Sequence, residues 1–137
     1  MKKRAVLLLL WLLVLAVAGM IFFFSAQDGL TSMKTSEGLT YWLIRLTCPG
    51  YDALSAQEKA ETYQQMQYYV RKAAHFTEFA LLGVSLRLLL GALGTRLPVP
   101  WSWLIGTLYA CTDEWHQHFV PGRAARLSDV LVDAVGV

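Results

Sequence analysis

Ala5 to Phe24 reads AVLLLLWLLVLAVAGMIFFF, and this stretch settles what kind of protein the chain is. A run of about twenty apolar residues is long enough to cross the hydrocarbon core of a bilayer. It follows Met1-Lys2-Lys3-Arg4, a basic cap that puts the N-terminus in the cytoplasm. A cleaved signal peptide is the competing reading. The apolar part of such a peptide is usually about 7–15 residues, and Phe24-Ser25-Ala26 sets a bulky ring where a small residue should precede cleavage. The run is therefore expected to be an uncleaved first span.

Composition agrees. The chain has 137 residues, 55% of them hydrophobic, and a mean hydropathy of +0.41, too apolar for an ordinary globular surface and suited to a small multi-span membrane protein. A formal net charge of +2 is too weak to argue for nucleic acid, and no basic run is interleaved with aromatic residues as a groove reader requires. Cys111 lies inside an apolar helical stretch and Cys48 in a polar connector. A pair at such different depths is hard to bridge, so both are expected to be free thiols, with Cys111 packed in the interior.

Outward from the first span, residues 25–72 form a polar connector with turn signals at Asp28-Gly29 and Cys48-Pro49-Gly50. Between them Leu39, Trp42, Leu43 and Leu46 recur at helical spacing, as in a segment lying in the interface. Ser55-Ala56-Gln57-Glu58 is a capping box, in which the serine hydroxyl and the glutamate satisfy each other's free backbone donors. The amphipathic helix it opens carries Ala56, Ala60, Tyr63, Met66 and Val70 on one stripe, the spacing of a packing face. No glycine or proline interrupts it before Gly83, so it is expected to run into a second span over about 73–93. The short connector Gly94 to Pro100 returns a third span, about 101–116, antiparallel beside the second. After Pro121-Gly122 a helix restarts near Ala125 and forms a fourth span, about 126–137, which stops after some three turns and looks truncated. The expected architecture is thus all-α, a single membrane domain over 1–137 with four transmembrane helices and an amphipathic extramembrane helix after the first span.

Polar residues inside so apolar a chain cost free energy unless they pair or do something. They fall into three clusters: Lys72, His75 and Glu78 on one face of the second span's start, with Arg71 beside them; Asp113, Glu114, His116, Gln117 and His118 at the end of the third; and Arg123, Arg126 and Asp129 around the last hairpin and the start of the fourth span. Threading the helices alternately across the bilayer brings all three to one side, the outer side if the N-terminus is inside. The Lys and Arg count leaves orientation open, because that outer side would also hold Lys34, Arg45 and Lys59. The convergence survives inversion.

A carboxylate one turn from an imidazole holds it in one tautomer, which suits a general acid or base, so His75, Glu78, Asp113, Glu114 and His116 are the catalytic candidates. Arg123, Arg126 and Lys72 offer a fork and a point charge for phosphate, and Gln117 and Asp129 complete the candidate binding set. An interhelical network that merely pins the hairpin is the structural alternative. His75, Asp113, Glu114 and His116 are acceptable metal ligands, but their spacing matches neither the two-histidine helical zinc motif nor a cysteine set, so no metal and no cofactor is assigned.

Lys72-x-x-His75-Phe76-x-Glu78-Phe79-Ala80-x-Leu82-Gly83, Asp113-Glu114-x-His116-Gln117-x-Phe119-Val120-Pro121-Gly122-Arg123, and Asp129-Val130 with Asp133-x-x-Gly136 closely resemble the VanZ-like family of small bacterial membrane proteins. Phe24-Ser25-Ala26-Gln27 is also similar to that family. The resemblance implies a four-span helical protein of the cytoplasmic membrane, linked through founding members to resistance against the glycopeptide teicoplanin, and it implies no known reaction. Phe79 stands where the family commonly has tyrosine, which removes a phenol from that position. The expected partners are the bilayer and an anionic lipid, a lipid-linked cell-wall precursor or a lipoglycopeptide. Binding that masks the antibiotic or its target, without catalysis, is the alternative function.

Overall fold

The computed structural model describes residues 2–123 and 126–137. Five helices follow in order: α1 Lys2–Ser25, α2 Gly29–Thr47, α3 Ala56–Leu93, α4 Pro98–Gln117 and α5 Leu127–Gly136, with a short 3-10 turn at Tyr51–Ala53. The described residues contain no strand. Two helices, α1 and α3, are long and apolar enough to cross a membrane.

Each boundary has a local cause. Asp28 caps α2 by accepting from the Thr31 amide at 2.9 Å. That bond, with one from the Thr31 hydroxyl, holds the Asp28 carboxyl below its ordinary pKa. The capping box at Ser55 and Glu58 forms as expected. From there α3 runs for 38 residues without a break, roughly 57 Å at 1.5 Å per residue. That is nearly twice the hydrocarbon thickness of a bilayer. Gly94 ends it in the left-handed region at φ 84°, where a side chain would be strained. Pro98 then opens α4 at a position where its missing N–H costs nothing.

Helix α3 is the hub: it packs against each of the other four. Its first half lies on α2, where buried Gln67 donates to the Met33 carbonyl at 3.2 Å and accepts from the Ser36 hydroxyl at 2.9 Å. Its second half joins α1, α4 and α5 around a core of Ile21, Phe79, Leu82, Leu86, Leu89 and Ala110. Residue pairings give the directions. Tyr109 donates to the Ala18 carbonyl at 2.8 Å and Asp113 meets Ser25, so α1 and α4 run the same way. Lys72 meets Asp129, and Gly83 meets Val137, so α5 runs parallel to α3. Phe79 lies in this core with its ring 6.2 Å from that of Tyr109.

Two expectations are corrected and one is extended. Cys111 is exposed, because it shares an outward stripe of α4 with Leu104, Leu108 and Trp115 while Ala110 and Asp113 face inward; both cysteines are free. The interfacial segment is a full helix, residues 29–47, which buries Thr40 and Ile44 and turns Leu39, Trp42 and Leu46 outward. On α3 the predicted packing stripe starts late: Ala56 and Ala60 are exposed, and only from Tyr63 onward does the face meet α2. The restart near Ala125 lies outside the described residues; α5 begins at Leu127.

Helix α5 is seated by close backbone approach. A Cβ on Gly136 would lie 2.7 Å from the Phe76 carbonyl oxygen, and one on Gly83 would collide with the Val137 carbonyl. Neither obstacle is a flexible side-chain tip. Gly83→Leu is expected to cost about 1–3 kcal/mol through overpacking, read as a lower unfolding temperature in detergent micelles. An unchanged unfolding temperature would mean that α5 does not sit there.

Candidate functional site

The ends of α1 and α4, the middle of α3 and the start of α5 meet at one end of the bundle. The carbonyls at the end of α1 and in the turn after it lack a full set of helical donors. The loop after α4 supplies more: Arg123 Nη2 donates to the Phe24 carbonyl at 3.0 Å, which also accepts from the Gln27 amide, and Nε donates to the Gln27 carbonyl at 3.2 Å. The Gly29 amide in turn donates to the Pro121 carbonyl at 3.0 Å. Gly122, with φ 73°, makes that turn, and Gly29 must also lack a side chain because a Cβ there would stand 2.6 Å from the Gly122 oxygen. Burial, and after it the charge of Arg71, pushes the Arg123 guanidinium below its ordinary pKa. Arginine starts so high that it stays charged.

Beneath the loop is a buried polar knot. Asp113 Oδ2 accepts from Ser25 Oγ and from Gln117 Nε2, both at 2.8 Å, and Gln117 also reaches Ser25 Oγ at 3.3 Å. Glu114 accepts from the Arg126 backbone amide at 2.5 Å. These two carboxylates therefore fasten α1 and the last loop to α4. They do not orient an imidazole.

Above the knot opens a cleft of about 250 Å³. Arg71, Lys72 and His75 line it from α3, Arg123 and Arg126 from the loop, and Asp129 from α5. Lys72 is paired with Asp129 and lies 5.5 Å from the centre of the Tyr68 ring. Among the described residues the guanidinium groups of Arg71 and Arg126 have no ion pair. His75 Nδ1 is buried without a hydrogen bond, and its nearest carboxylate is Asp133 at 4.0 Å, too long for one. Both Asp133 oxygens are buried and equally unpartnered among the described residues.

Of the residues singled out in the sequence, Lys72, His75, Gln117, Arg123, Arg126 and Asp129 share this cleft. Glu78 faces a neighbouring groove instead. His116 is in neither cavity: its ring stacks 4.9 Å from that of Phe22. His118 is exposed. Two residues are missing from the predicted set. Arg71 was visible beside His75, but only the helix phase shows that it points into the cleft. Asp133 carried a signal in its place four residues after Asp129 and in the Asp133-x-x-Gly136 motif. No group of three or more metal-ligating side chains gathers among the described residues.

The described residues form an all-helical bundle in which two helices are long and apolar enough to cross a bilayer. A family model for VanZ/LLP1 matches residues 10–137, and the chain belongs to that family. Neither the curated proteins nor the solved structures give a match.

The knot makes a test of its own. Asp113→Ala leaves Ser25 and Gln117 buried without their acceptor and is expected to destabilise the protein by about 1–3 kcal/mol. Ser25→Ala added to it should cost clearly less than Ser25→Ala alone, a coupling of roughly 0.5 kcal/mol or more. Strict additivity in thermal or denaturant unfolding would show that the two side chains do not interact.

Proposed function

We propose that this protein holds the phosphate or other anionic head of an amphiphile in the cleft between α3, α5 and the loop after α4. The observation that carries the reading is the pair of guanidinium groups, Arg71 and Arg126, lining a cleft with no carboxylate of their own. Guanidinium matches phosphate bidentately, and such charge-assisted bonds are the strong ones. Asp129 neutralises Lys72, so the cleft keeps a net positive charge for the ligand.

In this reading α1, the later part of α3 and α4 cross the bilayer and the 10 residues of α5 enter it from the same side as α3, with the N-terminus in the cytoplasm. Helix α4 has 20 residues, about 30 Å, enough to cross. Parallel α1 and α4, and parallel α3 and α5, are the directions that alternate crossing requires. The cleft then opens on the outer face, at head-group level, where envelope lipids and lipid-linked wall precursors present phosphate. A link to teicoplanin-type resistance follows if the bound species is such a precursor or the lipoglycopeptide itself.

A second reading, catalysis, is favoured by one observation: His75 borders the cleft with Nδ1 unpartnered and Asp133 behind it. There His75 would be the general base, and Asp133, in place of Asp113 or Glu114, would orient it. Masking of the antibiotic or its target without chemistry needs only the arginines.

The binding reading is tested with dihexanoyl phosphatidic acid and the full chain in zwitterionic micelles. Replacing Arg71 and Arg126 together by Gln should weaken binding by about tenfold or more, since each lost charged hydrogen bond is worth roughly 1.5–3 kcal/mol. Equal affinity of the folded double variant would sink the proposal.

A further inference from the structure

Beside the cationic cleft lies a second cavity of about 240 Å³, between the end of α1, α2 and α3. Phe24, Leu39, Val70 and Ala74 give it apolar walls, and Thr35 and Ser36 edge it on α2. Leu39 is 53% exposed, so the cavity is a groove open on the outer surface of the bundle. Arg71, His75 and Arg123 line both cavities. Only the thickness of these side chains divides them.

We infer that the cleft and the groove are the two halves of one site, and that its ligand is a single-chain alkyl or isoprenyl phosphate. The inference rests on the anion-binding reading of the cleft and adds the hydrocarbon. The shared wall argues for a direct linkage: Arg71 lines both cavities, so a phosphate held on it can be followed by a chain that enters the groove. One chain is proposed because the groove is a single cavity of about 240 Å³. Direction is set by charge. Arg71 and Arg123, which line both cavities, attract the phosphate to the dividing wall and leave the apolar part of the groove to the chain. Each methylene transferred from water to the groove contributes to affinity. A lipid with two chains would leave one of them outside, against the exposed Leu39 and Trp42 of α2.

The full chain in phosphatidylcholine nanodiscs is exposed to dodecyl phosphate carrying a terminal diazirine, irradiated and mapped by peptide mass spectrometry. The expected label falls on the α2 and α3 segments around Leu39 and Ala74, and is competed by unlabelled dodecyl phosphate but not by dodecanol. In parallel, micellar titrations compare dodecyl phosphate with methyl phosphate. The long chain should bind at least about tenfold tighter, ~1.4 kcal/mol. Ala74→Trp, which fills the groove from an exposed position on α3, should collapse that preference. Thr35→Trp fills it from the α2 side and repeats the test should the first variant misfold. Phosphate-competed label confined to α4 or α5, or equal binding of both phosphates, overturns the two-part site while leaving the anion cleft standing. Absence of any phosphate-competed label together with no methyl phosphate binding overturns the cleft as well.

Discussion

The contact on which the rest of the site depends is the guanidinium of Arg123 on the carbonyls of Phe24, in the last turn of α1, and Gln27, in the turn after it. Carbonyls at a helix end lack the full set of intrahelical donors, and an acceptor buried unsatisfied costs free energy. Arginine meets the requirement because one planar group delivers two bonds to acceptors three residues apart, Phe24 and Gln27. In doing so it folds the loop after α4 back over α1 and onto the start of α2, where Gly122 and Gly29 touch backbone to backbone. That return sets Arg126 and Asp129 opposite α3. Without it the cleft would have no second wall.

Helix α3 supplies the first wall by being continuous. Its polar half leans on α2 through Gln67 and its apolar half enters the bundle, so the junction at Arg71 to Glu78 lies where the surroundings change from wet to apolar. Charged side chains at such a boundary keep an opening to solvent while their stems pack against carbon. A kink or loop at that point would have separated Arg71 from His75. Helical spacing instead holds them side by side and lets both border two cavities.

The polar residues at this end of the bundle divide by whether their bonding is complete. Asp113, Ser25 and Gln117 satisfy one another and stabilise the packing. His75 and Asp133 are buried and unsatisfied among the described residues, a cost that a purely structural network would have removed. Arg71 and Arg126 retain their charge without an ion partner at the cleft. His75, Arg71 and Arg126 line the cleft, the completed knot lies beneath it, and His116, whose Nδ1 is also buried without a partner among the described residues, stands apart against Phe22.

Local pattern alone determined the helical class, the first span, the capping box at Ser55, the run of α3 without a break and the gathering of charge at one end, because each rests on periodicity or composition within a few turns. The VanZ/LLP1 family was legible from the motifs as well. Tertiary structure decided which charges are occupied. Asp113 finds its hydroxyl 88 positions away and Arg123 its carbonyl 99 away, and no spacing rule reaches so far. Arg123, read as a phosphate fork, lines the cleft but also holds the carbonyls of Phe24 and Gln27, Cys111 read as core and faces outward, and Asp133 stands behind His75 where Asp113 had been expected. A residue type states what a side chain can bond; only its neighbours in space state whether that capacity is already used.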